Sequence, residues 1–406
     1  MISGIGPISL GGIAYVALAT GLVLLAWSPL RHRFICALAL SGVVMAVSWL
    51  GFHDFIAMLV FQATPFFAVR YMWGKRNAVG GRIVVMIIAV QVFLFVVFKR
   101  YALFDVLGTL DLAVSVVGLS YILFRQIHLL LEAPFLGKLP FSVVRYVAFT
   151  LSPWTLIAGP IQRYDEFCKG VSEIGWPIND EILLSLHRAV SGLIKAFVLA
   201  PLFLPSADID LLTRSEADWV DFVVVLYSYP AYIYLNFSGY VDVVIGVARL
   251  CGFTTLPENF NRPYMARNVR DFWTRWHISF GTWVRHYVFV PLSTGLIRRV
   301  PENMAGMMMA VAVMVTFYGV GIWHGTTLNF VAFGLLQGAG VIFSASFESA
   351  MRGVLGKQRS NNLANNKLFH GGSIFVTLNF TCISFLFLEN QPADLARVFS
   401  LFFFGP

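Results

Sequence analysis

The chain has 406 residues, of which 58% are hydrophobic and only 12% are charged, and its mean hydropathy is +0.75. A soluble protein of this length needs far more charge on its surface. The composition therefore excludes the soluble globular class and predicts an all-α polytopic membrane protein. The net charge of +8 is typical of Lys and Arg in loops that face the cytoplasm, and we prefer this interpretation to nucleic-acid binding.

Apolar runs follow one another along the chain, and its length leaves room for about 11 membrane-spanning helices of about 20 residues each. The sequence places these runs at Ile8–Trp27, Phe34–Phe52, Phe55–Trp73, Ile83–Phe98, Leu112–Leu131, Phe141–Ala158, Ile182–Leu204, Trp219–Tyr234, Val241–Phe253, Met307–Phe343 (long enough for two spans) and Ile374–Leu388.

Basic residues beside the first runs predict the topology. Arg31 and Arg33 follow the first run, and Lys75, Arg76 and Arg82 lie between the third and the fourth. The positive-inside rule then places the N-terminus outside the cytoplasm. No basic segment precedes the first run, so we expect a retained helix and not a cleaved signal peptide.

We find no internal repeat and no Pro/Ser-rich linker, so residues 1–406 are predicted to form a single membrane domain. Gly353–Lys367 is basic and rich in Asn, and we expect a surface loop there. The four cysteines form no CxxC pair, and the eight histidines form no cluster at metal-ligand spacing. We therefore expect free thiols, no metal site and no bound cofactor.

The least apolar stretch, residues 254–285, carries the densest polar chemistry. From Asp271 onward we predict a helix whose large apolar side chains share one stripe, and such a helix normally lies in the membrane interface. The stripe consists of Trp273, Trp276, Phe280, Trp283, Val284 and Tyr287.

His277 falls beside this stripe and away from the charged face, where an imidazole without a partner is costly. It is either a hydrogen-bonded core histidine or a side chain that a dipping helix presents to a cavity. The preceding residues 257–263 contain two prolines and two asparagines. Because irregular backbone is tolerated at membrane depth only inside protein or beside water, this loop lies outside the bilayer or forms part of a site.

His324 lies in the apolar Met307–Phe343 stretch, close to Gly319, Gly321 and Gly325. Glycines allow another backbone or a substrate to come near, and an ionisable residue in such a stretch is a functional candidate. The alternative is a histidine at a turn between two spans, bonded to a carbonyl. A neutral imidazole suits general base catalysis, in which it takes the proton of a hydroxyl that attacks a thioester.

Arg125 and His128 in the fifth run and Glu132 immediately after it share one helical face. They either neutralise each other or line a pathway. His187, Arg188 and Lys195 are expected to mark a helix end at the cytoplasmic face.

A second polar group, Asn236, Ser238, Tyr240 and Asp242, also lies in an apolar setting. Asp242 needs a cationic partner, for which we expect Arg249 or an arginine of the central segment.

Six motifs resemble one family. NFSGY at 236–240, ENFNRPY at 258–264, DFWTRWHISF at 271–280 and GIWHG at 321–325 occur in the family's order, together with GLSYILFR at 118–125 and IAGPIQRYDEF at 157–167. They resemble the membrane-bound O-acyltransferase (MBOAT) family, in the branch of alginate O-acetyltransferases and teichoic-acid D-alanyltransferases. The resemblance implies a ring of transmembrane helices around a funnel, with re-entrant central segments.

The resemblance also implies roles for individual residues. His324 matches the family's catalytic histidine and His277 its second histidine. Arginines of the central segment, Arg267 among them, become candidates for an anionic phosphopantetheine arm. The candidate substrate-binding residues are Asn236, Asp242, Asn261, Arg262, Arg270, Trp273, Arg275, Trp276 and Trp323.

By this resemblance, an acyl group moves from a cytoplasmic thioester to a hydroxyl of an extracytoplasmic cell-envelope polysaccharide or intermediate. The donor is an acyl carrier protein or acetyl-CoA, and the location is the bacterial plasma (inner) membrane. An extracytoplasmic, SGNH-type acyltransferase partner is expected to complete the transfer. Thr327 and the short chain favour D-alanyl slightly over acetyl, but Leu328 and Gln337 depart from the family pattern and leave the donor open.

Two other classes of function remain at this point. A channel or transporter for a lipid-linked or polysaccharide precursor could use the same buried charges as a translocation path, although such proteins commonly contain internal repeats. A catalytically inactive scaffold is disfavoured because both histidines are intact.

Overall fold

A computed structural model of the protein describes residues 10–47, 52–75, 80–99, 118–177 and 179–405. This part of the chain is almost entirely helical, which confirms the all-α class. Its α-helices are α1 (Leu10–Ala26), α2 (Phe34–Val47), α3 (Phe52–Met72), α4 (Gly81–Phe98), α5 (Leu119–Glu132), α6 (Val143–Thr150), α7 (Tyr164–Ser172), α8 (Asn179–Leu193), α9 (Ala200–Phe203), α10 (Trp219–Leu250), α11 (Val269–Trp273), α12 (Ile278–Val284), α13 (Val290–Ile297), α14 (Ala305–His324), α15 (Leu328–Asn365), α16 (Lys367–Leu386) and α17 (Pro392–Phe404).

Within the described residues, eight helical segments are long and apolar enough to cross a membrane, which confirms a multi-pass membrane protein. They are Pro29–Ala46, Phe55–Met72, Gly81–Phe98, Asp180–Phe203, Trp219–Leu250, Glu302–His324, Leu328–Asn365 and Lys367–Leu386. The size of the ring and the side of the N-terminus stay predictions. The predicted run Leu112–Leu131 begins outside the described residues, and so does Ile8–Trp27; Arg76 also lies outside them.

The chain forms two compact units. The N-terminal unit contains the described residues up to Ile194 together with Gly239–Pro257, and the C-terminal unit contains Lys195–Ser238 together with the described residues from Glu258 onward. The single-domain organisation stays a prediction.

Helix α5 is the buried centre of the N-terminal unit, since each residue from Leu119 to Leu130 is buried. The three residues that the sequence places on one face of it, Arg125, His128 and Glu132, have separate partners. Arg125 donates to the carbonyl oxygens of Thr150 (2.8 Å) and Thr155 (2.6 Å) and to the Thr155 hydroxyl. His128 Nε2 accepts the N–H of Tyr164 at 3.0 Å. Glu132 lies 3.8 Å from Arg163.

The predicted span Phe141–Ala158 is wrong, because only Val143–Thr150 of it is helical. Pro153 has no N–H and restricts the residue before it, which ends helical bonding here. Arg125 takes the carbonyl groups of Thr150 and Thr155 that the lost helix leaves open. The segment can therefore stay buried without being a helix.

Trp219–Tyr234 and Val241–Phe253 were predicted as two spans, but one 32-residue helix, α10, contains the first run and the second as far as Leu250. In the N-terminal unit its last part packs tightly against α8, because a Cβ on Gly192 would lie 2.5 Å from the Gly239 carbonyl oxygen. Small residues allow such a close backbone approach between membrane helices.

Asp242 pairs with Arg188 of α8 at this contact, with a nitrogen–oxygen distance of 3.0 Å and side chains that are 17% and 19% exposed. Sequence reasoning did not propose this partner. The expectation that Arg188 marks a helix end is wrong, because α8 continues beyond it through a π-helical turn, Ile194–Leu199, into α9.

In the C-terminal unit, α14 and α15 form a close pair, which confirms two spans within Met307–Phe343. The expected loop at Gly353–Lys367 is wrong, since most of this stretch is helical up to Asn365. The helix is broken by a kink at Gly356, whose φ of 74° is not helical, so that α15 consists of two helices joined there. Asn366 separates the two helices and caps α16 with its side chain.

We predict that Arg188→Ala lowers the free energy of unfolding by about 3 kcal/mol, because it leaves the Asp242 carboxylate without this partner in a largely buried place. The measurement is the thermal midpoint in detergent. The control is Arg188→Ala combined with Asp242→Ala, which removes both charges and should be more stable than the single variant. Equal stability of Arg188→Ala and the unmodified protein would contradict the prediction.

Candidate active site

The central segment is broken, so the predicted continuous helix from Asp271 is wrong. Helix α11 ends at Trp273, α12 begins at Ile278, and His277 between them has left-handed geometry (φ 47°, ψ 52°). The break exists because two backbone hydrogen bonds join it to the preceding loop. The Asn259 carbonyl accepts the N–H of Ile278 (3.0 Å), and the backbone N–H of Asn261 donates to the Arg275 carbonyl (2.9 Å). These bonds replace the helical ones that the periodicity of the sequence predicts.

The same backbone pairing holds the loop at 257–263 against residues 275–278. Phe260 and Trp276 form an antiparallel bridge, and Asn259 is 0% exposed. Farther along, Asn261 and Arg262 are exposed, and Arg262 has φ 44°. Part of the loop is thus buried polar backbone with its own partners, which is the condition for irregular structure at membrane depth.

His277 is only 5% exposed and is held on several sides. Its Nδ1 lies 3.2 Å from Asn259 Oδ1. The ring of Phe237 meets it edge-on at 4.9 Å, and the ring of Phe280 stacks on it at 5.0 Å. His277 is therefore a buried, hydrogen-bonded histidine, and its part in catalysis stays a prediction.

Burial, together with the nearby charge of His324, lowers the pKa of His277 to about 3. The ring is therefore neutral at physiological pH, because a charged imidazole would lose its hydration there.

His324 is the last residue of α14, and the chain turns immediately after it toward α15. It is partly exposed, unlike His277. Phe330 stacks on its ring at 6.2 Å, and Phe333 meets it edge-on at 5.8 Å. His324 thus lies at a turn between two spans, as the positional alternative predicted, and this position is compatible with a catalytic role.

One aromatic cluster joins the two histidines. Phe280 stacks on His277 at 5.0 Å and on Trp323 at 4.5 Å, and Trp323 lies 4.6 Å from the ring of His324. Trp276 belongs to the adjoining core, where Phe272 stacks on it at 5.6 Å. The structure therefore brings His277, Trp323 and His324 into one aromatic cluster, with Trp276 in the core beside it, and their roles stay predictions.

The turn after His324 is fixed by residues that sequence reasoning did not select. Asn329, which is 3% exposed, accepts hydrogen bonds from the Thr327 hydroxyl (2.6 Å) and from the Gln391 side chain (3.0 Å). Gln391 is the residue immediately before α17, 62 residues away from Asn329 in sequence. A local pattern cannot show such a contact.

A second fixed contact involves Trp273, which donates from Nε1 to Gln337 at 3.0 Å. Gln337 is 0% exposed and donates in turn to Ser384 at 2.7 Å. These bonds tie α11 to α15 and α16. Gln337, noted above as a departure from the family pattern, thus holds one of the predicted site tryptophans.

The other predicted residues are more scattered. Asn236 is buried and donates to the hydroxyl of Tyr232. Arg270 pairs with Glu348 at 2.5 Å, and Arg275 pairs with Asp271 at 2.8 Å. The charges of these two arginines are thus already compensated within the protein, while Arg262 and Arg267 are exposed. Asp242 belongs to the N-terminal unit, with Arg188.

Comparison with known proteins decides the family. The model of MBOAT, the membrane-bound O-acyltransferase family, matches residues 48–385. The chain belongs to the MBOAT family. This MBOAT protein is accordingly an acyltransferase of a multi-pass membrane class.

Several curated relatives are similar to this MBOAT chain. Teichoic acid D-alanyltransferase of Streptococcus thermophilus is 29% identical over 71% of this chain and 71% of its own length. The enzyme of the same name from Bacillus subtilis is 26% identical over 69% and 70%. The probable alginate O-acetylase AlgI of Azotobacter vinelandii is 29% identical over 55% of this chain and 43% of its own length.

Close packing of α14 on α15 predicts a sharp contrast between two glycines. A Cβ on Gly321 would lie 2.4 Å from the Phe330 carbonyl oxygen, whereas a Cβ on Gly319 would meet nothing within 4 Å. We expect Gly321→Ala to lower stability by about 1–3 kcal/mol by overpacking and to reduce activity by displacing the turn at His324. The control Gly319→Ala should be neutral or stabilising by up to about 1 kcal/mol. Thermal midpoints and acyl transfer rates of the two variants check this; equal effects would contradict it.

The low pKa of His277 predicts how stability depends on pH. The pKa in the folded protein, about 3, lies below that of an unfolded histidine, about 6.5. Below pH 6.5 or so the unfolded chain therefore binds a proton that the folded protein does not. Stability should then fall as the pH drops, by up to about 1.4 kcal/mol per pH unit. Denaturation midpoints between pH 7 and pH 4.5, compared with those of His277→Asn, measure this term. A His277→Asn variant with the same acid slope would contradict it.

Proposed function

We propose that this MBOAT protein transfers an acyl group from a thioester donor on the cytoplasmic side of a bacterial plasma membrane to a hydroxyl of an extracytoplasmic cell-envelope polysaccharide or its intermediate. One observation carries the proposal. A partly exposed histidine, His324, stands at the end of a membrane helix, beside a second histidine that is buried and neutral.

The chemistry is general base catalysis by His324. His324 takes the proton of the acceptor hydroxyl while the hydroxyl oxygen bonds to the thioester carbon. The carbon–sulfur bond then breaks, and the proton passes from His324 to the leaving thiolate. The products are an ester and a free thiol, and His324 returns to its neutral form.

Position supports His324 as the base and not His277. A base must reach the hydroxyl of a bound substrate. His324 is partly exposed at a turn, whereas His277 is 5% exposed and resists protonation. We assign His277 a supporting role beside the base.

The surroundings are suited to a thioester. Trp323, Phe280 and Phe330 give the site apolar walls, and such walls exclude water that would hydrolyse the donor. The exposed guanidinium groups of Arg262 and Arg267 are better candidates for phosphate contacts of a phosphopantetheine or CoA arm than Arg270 and Arg275, because the latter two are held in ion pairs.

The acyl group is proposed to be D-alanyl, carried on an acyl carrier protein. This rests on the two teichoic acid D-alanyltransferases, which align over about 70% of their own length, while the alginate O-acetylase aligns over 43%. Acetyl from acetyl-CoA is the second candidate. We further propose an extracytoplasmic partner protein that passes the acyl group to the polymer, and an N-terminus outside the cytoplasm.

We expect His324→Ala to reduce thioester turnover by about 10²–10⁴-fold, the usual contribution of a general base. The assay follows free thiol released from a thioester donor by purified protein in detergent or nanodiscs with an acceptor glycan. The control is His32→Ala, because His32 is exposed in the turn after α1. Full activity of His324→Ala would contradict the assignment of the base.

The same assay distinguishes the two candidate donors. Radiolabelled D-alanyl-carrier protein and acetyl-CoA are offered in parallel, and the label that reaches the glycan identifies the donor.

The transporter alternative is tested with the purified protein in liposomes. A transporter would move a precursor across the membrane without consuming either thioester, and that result would contradict acyl transfer itself.

A further inference from the structure

The side chain of Asn259 has a fixed orientation. The side-chain oxygen of Asn259, Oδ1, lies 3.1 Å from the backbone nitrogen of Ser279 and 2.9 Å from the Ser279 hydroxyl oxygen. A backbone N–H can only donate, so the atom that faces it must be the amide oxygen and not the amide nitrogen. Reversing the amide would set two donors against each other.

This orientation determines where His277 carries its proton. The same Oδ1 lies 3.2 Å from Nδ1 of His277. An amide oxygen only accepts, so the contact is favourable only if Nδ1 bears hydrogen. Since a neutral imidazole carries one N–H, the other ring nitrogen, Nε2, bears the lone pair.

The ring has little freedom to change this arrangement. Phe237 meets it edge-on, and Phe280 stacks on the ring. Its backbone is held in a left-handed conformation, uncommon outside glycine, by the bond from Ile278 N–H to the Asn259 carbonyl. Main chain and side chain of Asn259 thus act together on one histidine.

We infer that Asn259 is a positioning residue that fixes His277 as the Nδ1–H tautomer, so that His277 serves as a hydrogen-bond acceptor at Nε2 and not as a proton carrier during acyl transfer. The functional half of this inference rests on the proposed function above.

The different roles of the two histidines follow from the chemistry of the reaction. When His324 takes a proton it becomes a cation, and a neutral acceptor nearby favours that cation, whereas a second imidazolium would oppose it. The two histidines belong to one aromatic cluster, because Phe280 stacks on His277 and on Trp323, and the ring of Trp323 lies 4.6 Å from that of His324. With Nδ1–H bonded to Asn259 and the ring neutral, His277 does not compete with His324 for the proton of the acceptor hydroxyl.

The tautomer is tested directly by nitrogen NMR of protein labelled with ¹⁵N-histidine at neutral pH. His277 signals are those that disappear in His277→Asn, which identifies them among the eight histidines of the chain. We expect a protonated Nδ1 and an unprotonated Nε2, and in Asn259→Ala a mixture of tautomers. A protonated Nε2 in the unmodified protein would overturn the inference. No substrate is needed, so this result is independent of whether the proposed acyl transfer occurs.

The functional half is tested by kinetics on the thioester assay. We expect Asn259→Ala to lower kcat by about 10–100-fold, the usual effect of removing a residue that orients an active-site histidine, with KM nearly unchanged. The matched control is Ser279→Ala, which removes one bond to the same oxygen but keeps the backbone donor and the bond to His277. Its kcat should stay close to that of the unmodified protein, and equal losses in both variants would overturn the positioning role.

The variant Asn259→Asp tests the same role if Asn259→Ala does not fold. It retains an oxygen at the same place, but it adds a negative charge that favours the imidazolium form of His277. We expect the acidic limb of the kcat profile to move to higher pH. An unmoved limb would overturn the role of Asn259. Loss of thioester turnover in the unmodified protein would instead contradict the proposed function.

Discussion

Inside a protein that lipid surrounds, each backbone group that leaves the helical pattern needs a partner within the protein itself. Two stretches of this chain meet that constraint largely through one polar residue each. In the N-terminal unit, the Arg125 guanidinium donates to the carbonyl groups at both ends of the irregular turn after α6. In the C-terminal unit, Asn259 accepts the N–H of Ser279 with its side-chain oxygen and the N–H of Ile278 with its backbone carbonyl, at the break between α11 and α12.

The break at His277 shows why the constraint matters for chemistry. On a continuous helix, the side chain of His277 would lie beside the aromatic stripe. With the break, its ring stacks on Phe280, and Phe280 in turn stacks on Trp323 beside His324. The departure from regular structure is thus what places the two histidines in one aromatic cluster, and the backbone partners at Asn259 stabilise that departure.

Much of this architecture could be predicted from the sequence. Composition and hydropathy predicted the membrane class, and the long run of 37 residues around His324 predicted two spans because it is too long for one. Gly319, Gly321 and Gly325 predicted a close approach: a backbone lies against Gly321 and the Phe330 ring against Gly325, but nothing lies within 4 Å of a Cβ on Gly319. Each of these signals is local: it depends on residue type and spacing within one or two helices.

What could not be predicted depends on distant partners. Helical periodicity predicted a helix that continues through His277. This pattern takes no account of Asn259, 18 residues earlier in the sequence, whose loop competes for the backbone hydrogen bonds of that helix. The basic, Asn-rich composition of Gly353–Lys367 pointed to a loop, yet most of that stretch continues α15. The pairing of Asp242 with Arg188 spans 54 residues. Such contacts follow from tertiary packing, which overrides local preference.

One contact links the residue that precedes α17 to the turn after His324. Gln391 supplies one of the two hydrogen bonds that hold the Asn329 side chain, and Thr327 in that turn supplies the other. The start of α17 is therefore anchored to a turn 62 residues away in sequence. A tag, fusion or truncation that displaces the start of α17 is accordingly expected to shift His324, the proposed base.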